Sequence, residues 1–181
     1  MDLNGIRRFP RDWNVSLRRN GIALIYSADR KRLANILQEI VEIPFGENRL
    51  FVALIGLDRC DPPMRSQSPG SKAVYYAVRK ESGYGILLQC LPPRTTTSFH
   101  FHETKTEILH VVAGESYLRA GKRITRIRLG HSQIIEKGKF HQLQTKDSPS
   151  LLFIEIVGDP EGVSWKDHHY AGDSALSKVA A

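Results

Sequence analysis

Short apolar runs broken by glycine, proline and polar clusters dominate this chain, and they recur at strand length. From Ala73 onward they predict strands at 73–79, 83–90, 95–102, 107–113, 115–120, 123–129, 132–136, 140–145 and 150–157. Many brief strands with regular punctuation indicate an all-β sandwich or barrel. Upstream the pattern changes. The first twenty residues are polar and irregular, and Gly21 to Ser27 reads as a short strand. Leu33, Ile36, Leu37, Ile40 and Val41 then fall at i, i+3, i+4, i+7 and i+8, which predicts a helix over 28–42. Ser27 would cap it, Asp29 would favour its dipole, and Pro44 and Gly46 would stop it. A buried strand is expected at 51–56, followed by a Pro- and Ser-rich surface loop at 58–72. After Pro160 the pattern is irregular, with a frayed helix expected from Ser174 to Ala181.

These signals divide the chain into an N-terminal extension over 1–72 that packs on the barrel, a barrel over 73–160 and a C-terminal tail over 161–181. At 181 residues one domain with a real core is expected. No apolar run approaches the roughly 18 residues of a membrane span. No apolar segment follows Arg7, Arg8 and Arg11, so a cytoplasmic protein is expected. Cys60 and Cys90 show no C-x-x-C spacing and read as free thiols. The net charge of +7 is spread along the chain. Its tightest cluster, Arg119, Lys122, Arg123, Arg126 and Arg128, reads as a solvated sheet face, because no aromatic residues interleave it for nucleic-acid stacking.

The chemistry concentrates in two blocks. The first runs His100-x-His102, Glu107 after four residues, and Gly114 after six more. The second holds Gly130, Gly138 and His141. On a strand, alternate side chains share a face, so His100 and His102 point the same way with backbones roughly 7 Å apart. The polar stretch Glu103-Thr104-Lys105-Thr106 can turn the chain and bring Glu107 onto the neighbouring strand, while His141 arrives from a later one. Three imidazoles and one carboxylate suit a divalent metal ion. The donor set is compatible with Fe, Mn, Ni, Co or Zn and leaves two open positions at octahedral coordination. No G-x-S-x-G elbow, dinucleotide fingerprint or phosphate loop accompanies it.

Both blocks resemble the two motifs of the cupin superfamily, G-x5-H-x-H-x3–4-E-x6-G and G-x5-P-x-G-x2-H-x3-N. Three motif positions differ: Arg94 stands at the leading glycine of the first, and Glu136 and Thr145 replace the proline and asparagine of the second. The resemblance spans about residues 83 to 157. It implies a double-stranded jelly-roll barrel carrying a metal on His100, His102, Glu107 and His141. The absence of internal repeats indicates a single-barrel chain. Strand parity adds Ser98 and Arg94 beside the histidines, Leu109 and Val111 beside Glu107, and Leu143 and Thr145 beside His141 as the expected substrate-binding surface. By the same parity His110 faces away. His131 reads as a turn residue, and His168-His169 lies in the tail, outside the ligand pattern.

Within the superfamily the chain is loosely similar to the cupin half of type II phosphomannose isomerases, in the strand from Glu107 to Gly114, in Ile154-Glu155-Ile156 and in the tail Trp165 to Gly172. The first expectation, resting on the metal's chemistry, is a metal-dependent enzyme on a small polar substrate, an isomerase or, with iron, a dioxygenase; a homodimer is expected partly by family analogy. The alternatives are a non-catalytic module binding a sugar or small acid, and a dimeric scaffold.

Overall fold

A computed structural model describes residues 14–19, 22–27, 31, 40–45, 48–55, 64–65, 72–164 and 166–170. The N-terminal part is a four-stranded antiparallel sheet of β1 (Asn14–Arg19), β2 (Ile22–Ser27), β3 (Ile40–Phe45) and β4 (Asn48–Ile55), in the order β1-β2-β4-β3. Two expectations are corrected here. Residues 14–19 form a strand where irregular chain was expected. The C-terminal end of the expected helix, Ile40–Glu42, is strand paired with Phe51–Ala53, and 32–39 lie outside the described residues. The β-branched Ile40, Val41 and Ile43 favour that extended state, and Pro44 is tolerated because β3 is an edge strand. The expected frayed helix at 174–181 and Cys60 also lie outside the described residues.

The larger sheet comprises β5 (Met64–Arg65), β6 (Val74–Glu81), β7 (Tyr84–Leu91), β8 (His100–Phe101), β9 (Thr106–Ala120), β10 (Arg123–Arg128), β11 (Ser132–Ile135), β12 (His141–Gln144), β13 (Ser150–Val157) and β14 (His169–Tyr170). Its order is β14-β8-β12-β9-β13-β7-β6-β5, with β10 and β11 also on β9. β9 is long enough to serve two layers. Its first half pairs with β13 and β11, and its second half with β10 and β12. The two strands expected at 107–113 and 115–120 are therefore one. Gly114 marks the passage between the layers, with φ +72 and the carbonyl of Pro149 where a Cβ would stand. The strand expected at 95–102 shrinks to His100–Phe101 plus a single bridge between Thr96 and Gln144.

The layers close over Leu87, Leu91, Leu109, Val111, Leu118, Ile127, Leu143, Leu152, Ile154 and Ile156, all buried. Each such side chain contributes about 1.5–3 kcal/mol on burial, so this apolar interior carries the fold. The opposite face of β7 and β13 is buried too, through Ile86, Leu88, Cys90, Leu151 and Phe153, and β3 lies against β7. His110 points to that outer face, as parity requires, and is paired with Glu155 at 2.8 Å. Among the described residues no helix is long and apolar enough to cross a membrane.

Candidate metal centre

One end of the barrel is polar because three strand ends meet there. His100 on β8 pairs across the ladder with His141 on β12, with ring centroids 4.4 Å apart. His102 follows on the same face, 4.8 Å from His100 and 5.3 Å from His141. Glu107, near the start of β9, places Oε1 3.2 Å from His102 Nε2 and Oε2 3.4 Å from His141 Nε2. All four side chains are buried. The turn of residues 103–106 is held by Asp167, whose carboxylate accepts the Glu103 and Thr104 amides and the Thr104 hydroxyl.

The hydrogen bonds around the ring fix its chemistry. His100 Nδ1 donates to Ser98 O and His141 Nδ1 to Lys139 O, both at 3.0 Å, and His102 Nδ1 donates to Asp167 O. A carbonyl only accepts, so each Nδ1 holds a proton, and the tautomer this selects carries its lone pair on Nε2. His102 Nε2 is buried with no hydrogen-bond partner, although a carboxylate oxygen stands beside it. Lone pair facing lone pair is unfavourable unless a cation or proton lies between them, and a metal ion held by His102 and Glu107 would relieve the contact. Burial raises Glu107, but His102 and then His141 outweigh it and hold the carboxyl well below its usual range. Burial lowers His100 to about 3, helped by His141 and opposed by Glu107. The cluster thus offers three imidazoles and one ionised carboxylate, buried together at one point, a donor set that fits a divalent ion.

The fold has solved counterparts. A cupin-2 domain from Rhodospirillum rubrum superposes with a TM-score of 0.52 over 68% of this chain and 80% of its own, at 10% identity. The chain has the cupin fold. KdgF from Halomonas sp. aligns over 52% of this chain and 84% of its own, with TM-score 0.47 and 16% identity. A sugar phosphate isomerase of the cupin superfamily from Silicibacter pomeroyi aligns over 53% and 70%, with TM-score 0.45 and 19% identity. No protein-family model and no curated relative matches the sequence.

Behind the histidine end, the barrel holds a small cavity that His100, Glu107 and His141 line from one side. Leu87, Leu143, Ile154, Ile156 and Val163 form its apolar wall. Two polar features face it that parity did not suggest. Lys105 is buried, donates to Ser164 O at 2.8 Å and lies 3.8 Å from Asp159. Gln89 donates to the Tyr75 hydroxyl at 3.0 Å, and its buried Oε1 has no partner.

Of the expected substrate-binding residues, Leu143 lines this cavity, and Leu109 and Val111 pack in the core beneath it. Ser98 sits beside His100, its hydroxyl 3.2 Å from Nδ1. Thr145 is buried in a structural role, its hydroxyl accepting Thr95 N and donating to Pro92 O. Arg94 stands on the surface, its guanidinium on Asp147 at 3.1 Å. It adopts φ 54, the left-handed conformation that the leading glycine of the cupin motif would supply without cost.

Two surface features complete the picture. In the basic cluster, Arg126 pairs with Glu115, and Arg119 covers Phe99 with its guanidinium 4.5 Å from the ring centroid. The C-terminal tail is less irregular than expected: β14 pairs with β8, so His169 lies opposite Phe101 and Tyr170 opposite His100. His168 reaches the centre, its ring 4.6 Å from both His100 and His102. A His-His doublet beyond the last long strand is the only sequence signal for it, and that signal says nothing of where the tail returns.

Proposed function

We propose that this cupin binds one divalent metal ion through His100, His102, Glu107 and His141 and acts on a small polar substrate in the adjoining cavity. The observation that carries the reading is the set of three Nδ1–H groups committed to main-chain carbonyls, which leaves Nε2 of each ring for a metal, with His102 and His141 presenting theirs to the Glu107 carboxylate and His100 packed beside both. When bound, such an ion polarises a substrate carbonyl or hydroxyl pair, as isomerisation needs, or, if redox-active, supports oxygen-dependent cleavage.

The remaining work falls to the chain. The apolar wall excludes water and sharpens every polar contact inside it. Gln89 Oε1 accepts from a substrate hydroxyl, with Tyr75 fixing the amide. Glu107 stays ionised and supplies the one anionic donor, while the Asp167 and Lys139 carbonyls orient the two neighbouring imidazoles.

A second reading, a binding module for a sugar or small acid, is favoured by Lys105. Its ammonium is committed to Ser164 O and Asp159, so it is not a free acid or base for turnover. A homodimeric assembly belongs to either reading.

Elemental analysis of tag-free protein from metal-supplemented cultures, beside a His100→Ala/His141→Ala variant, tests the proposal. Near-stoichiometric metal in the parent and none in the variant is the expected result, and the element found selects between isomerisation and oxygen chemistry. Metal-free protein from both cultures sinks the enzyme reading.

A further inference from the structure

The tail that follows the barrel is anchored on both sides of His168. Before it, Asp167 gives its carboxylate to the 103–104 turn and its carbonyl to His102 Nδ1. After it, His169 pairs with Phe101 in the β14–β8 ladder and stacks on that ring at 5.0 Å. Ser164, upstream, accepts the buried ammonium of Lys105. A residue held between such anchors has little freedom, and this one presents an imidazole to the centre. Its ring lies flat on His100, at 25°, and edge-on to His102, at 87°. A ring nitrogen of each of these three histidines lies within 4.8 Å of those of the other two. His102, Glu107 and His141 form a second such group, so the two triads share His102. His168 also lines the cavity.

We propose that His168 is a fifth protein donor to the metal, delivered by the C-terminal strap across the mouth of the barrel; this rests on the metal-binding reading above. Four nitrogens and one carboxylate oxygen leave a six-coordinate ion a single exchangeable position. The ligand class accepted with the strap in place is therefore one that binds the ion through a single oxygen. A chelating hydroxy acid or diol would have to displace His168 to bind through two.

Cobalt(II) is the probe: titrations of the chelator-stripped full chain, followed by visible d–d absorption and by chelator competition, in the parent, His168→Ala, His168→Gln and His169→Ala. Circular dichroism confirms that each variant is folded. Both His168 variants should lose at least the roughly 10- to 100-fold in affinity that removing a supporting partner of a ligand costs, with an altered d–d spectrum. His169→Ala, which loosens an anchor and removes no donor, should keep the parent d–d spectrum once saturated with cobalt. Parent-like affinity and spectrum in His168→Ala would overturn the assignment while leaving the four-residue site standing. The His168→Ala spectrum appearing in cobalt-saturated His169→Ala would also overturn it, by tracing the spectral change to the strap's packing. A parent chain that takes up no cobalt overturns this inference and the metal-binding reading together.

Discussion

Gly138 donates its main-chain N–H to the carbonyl oxygen of His102 at 2.6 Å, tying the turn before His141 to the end of the strand that carries the first two histidines. The bond requires φ +78 at Gly138, with open space around the position a Cβ would take. Gly138→Ala should therefore cost only the left-handed backbone penalty, about 1–2 kcal/mol, and leave the protein folded. It should still weaken metal binding, because His141 lies three residues on. Gly114→Ala adds a Cβ 2.0 Å from Pro149 O, so it should cost more than Gly138→Ala and compromise folding. Urea denaturation of the two variants side by side checks the ranking; equal midpoints would refute it.

Arg94 provides a second backbone test. It adopts φ 54 and offsets that strain with its amide on Lys146 O at 2.6 Å and its guanidinium on Asp147. The ion pair is exposed and worth little. Arg94→Ala keeps the strain and loses the pair, whereas Arg94→Gly relieves the strain at some cost in chain entropy. The glycine variant should be more stable than the alanine variant by about 1 kcal/mol in chemical denaturation. The reverse order would remove the strain argument.

The clustering of His100, His102, Glu107 and His141 was legible because much of it rests on local spacing. Alternation puts His100 and His102 on one face whatever the rest of the chain does, and a polar turn returns Glu107 to them. What was not legible depends on pairing between distant segments. Ile40 and Val41 fit a helical stripe and an extended run equally well, and β4 decides for the strand. Lys105 reads as a solvent-facing turn residue until Ser164 and Asp159 close over it. His168 is placed by anchors on residues 101–104, more than sixty positions away.

Acid should destabilise the metal-free protein well before ordinary carboxylates titrate. His100 is lowered to about 3 from 6.5, so below pH 6.5 the unfolded chain binds a proton that the folded one refuses. Its contribution is complete above pH 6.5 and is lost progressively on acidification toward pH 3. Glu107, also lowered, acts in the same direction: its contribution is present above 4.5 and is lost as pH falls. Between pH 7.5 and 5 the His100 share amounts to about 2 kcal/mol. Urea midpoints measured in chelator should fall over that range in the parent and fall less in His100→Gln. A parent midpoint that does not move would refute the linkage.

Cys90 should be chemically silent in the native state. Burial pushes its thiol up to about 12, and its side chain lies within the sheet. Iodoacetamide at pH 8 should leave it unmodified in folded protein and alkylate it in denaturant, as read by peptide mass spectrometry. Native labelling would mean that the outer face of β7 opens.

Metal should stabilise a barrel that already stands without it. The interior is apolar from Leu87 to Ile156, whereas His141 contributes one imidazole at the polar end. His141→Ala should therefore unfold cooperatively with a parent-like circular dichroism spectrum while losing metal affinity. For a single site, ion at one hundred times its Kd adds about 2.7 kcal/mol, or roughly 5–11 °C in Tm for a domain of this size. Scanning fluorimetry should show that rise in the parent and not in His141→Ala. A variant that is unfolded before any metal is removed would make the ion part of the fold, because the apolar core alone would then be insufficient to hold the two layers together.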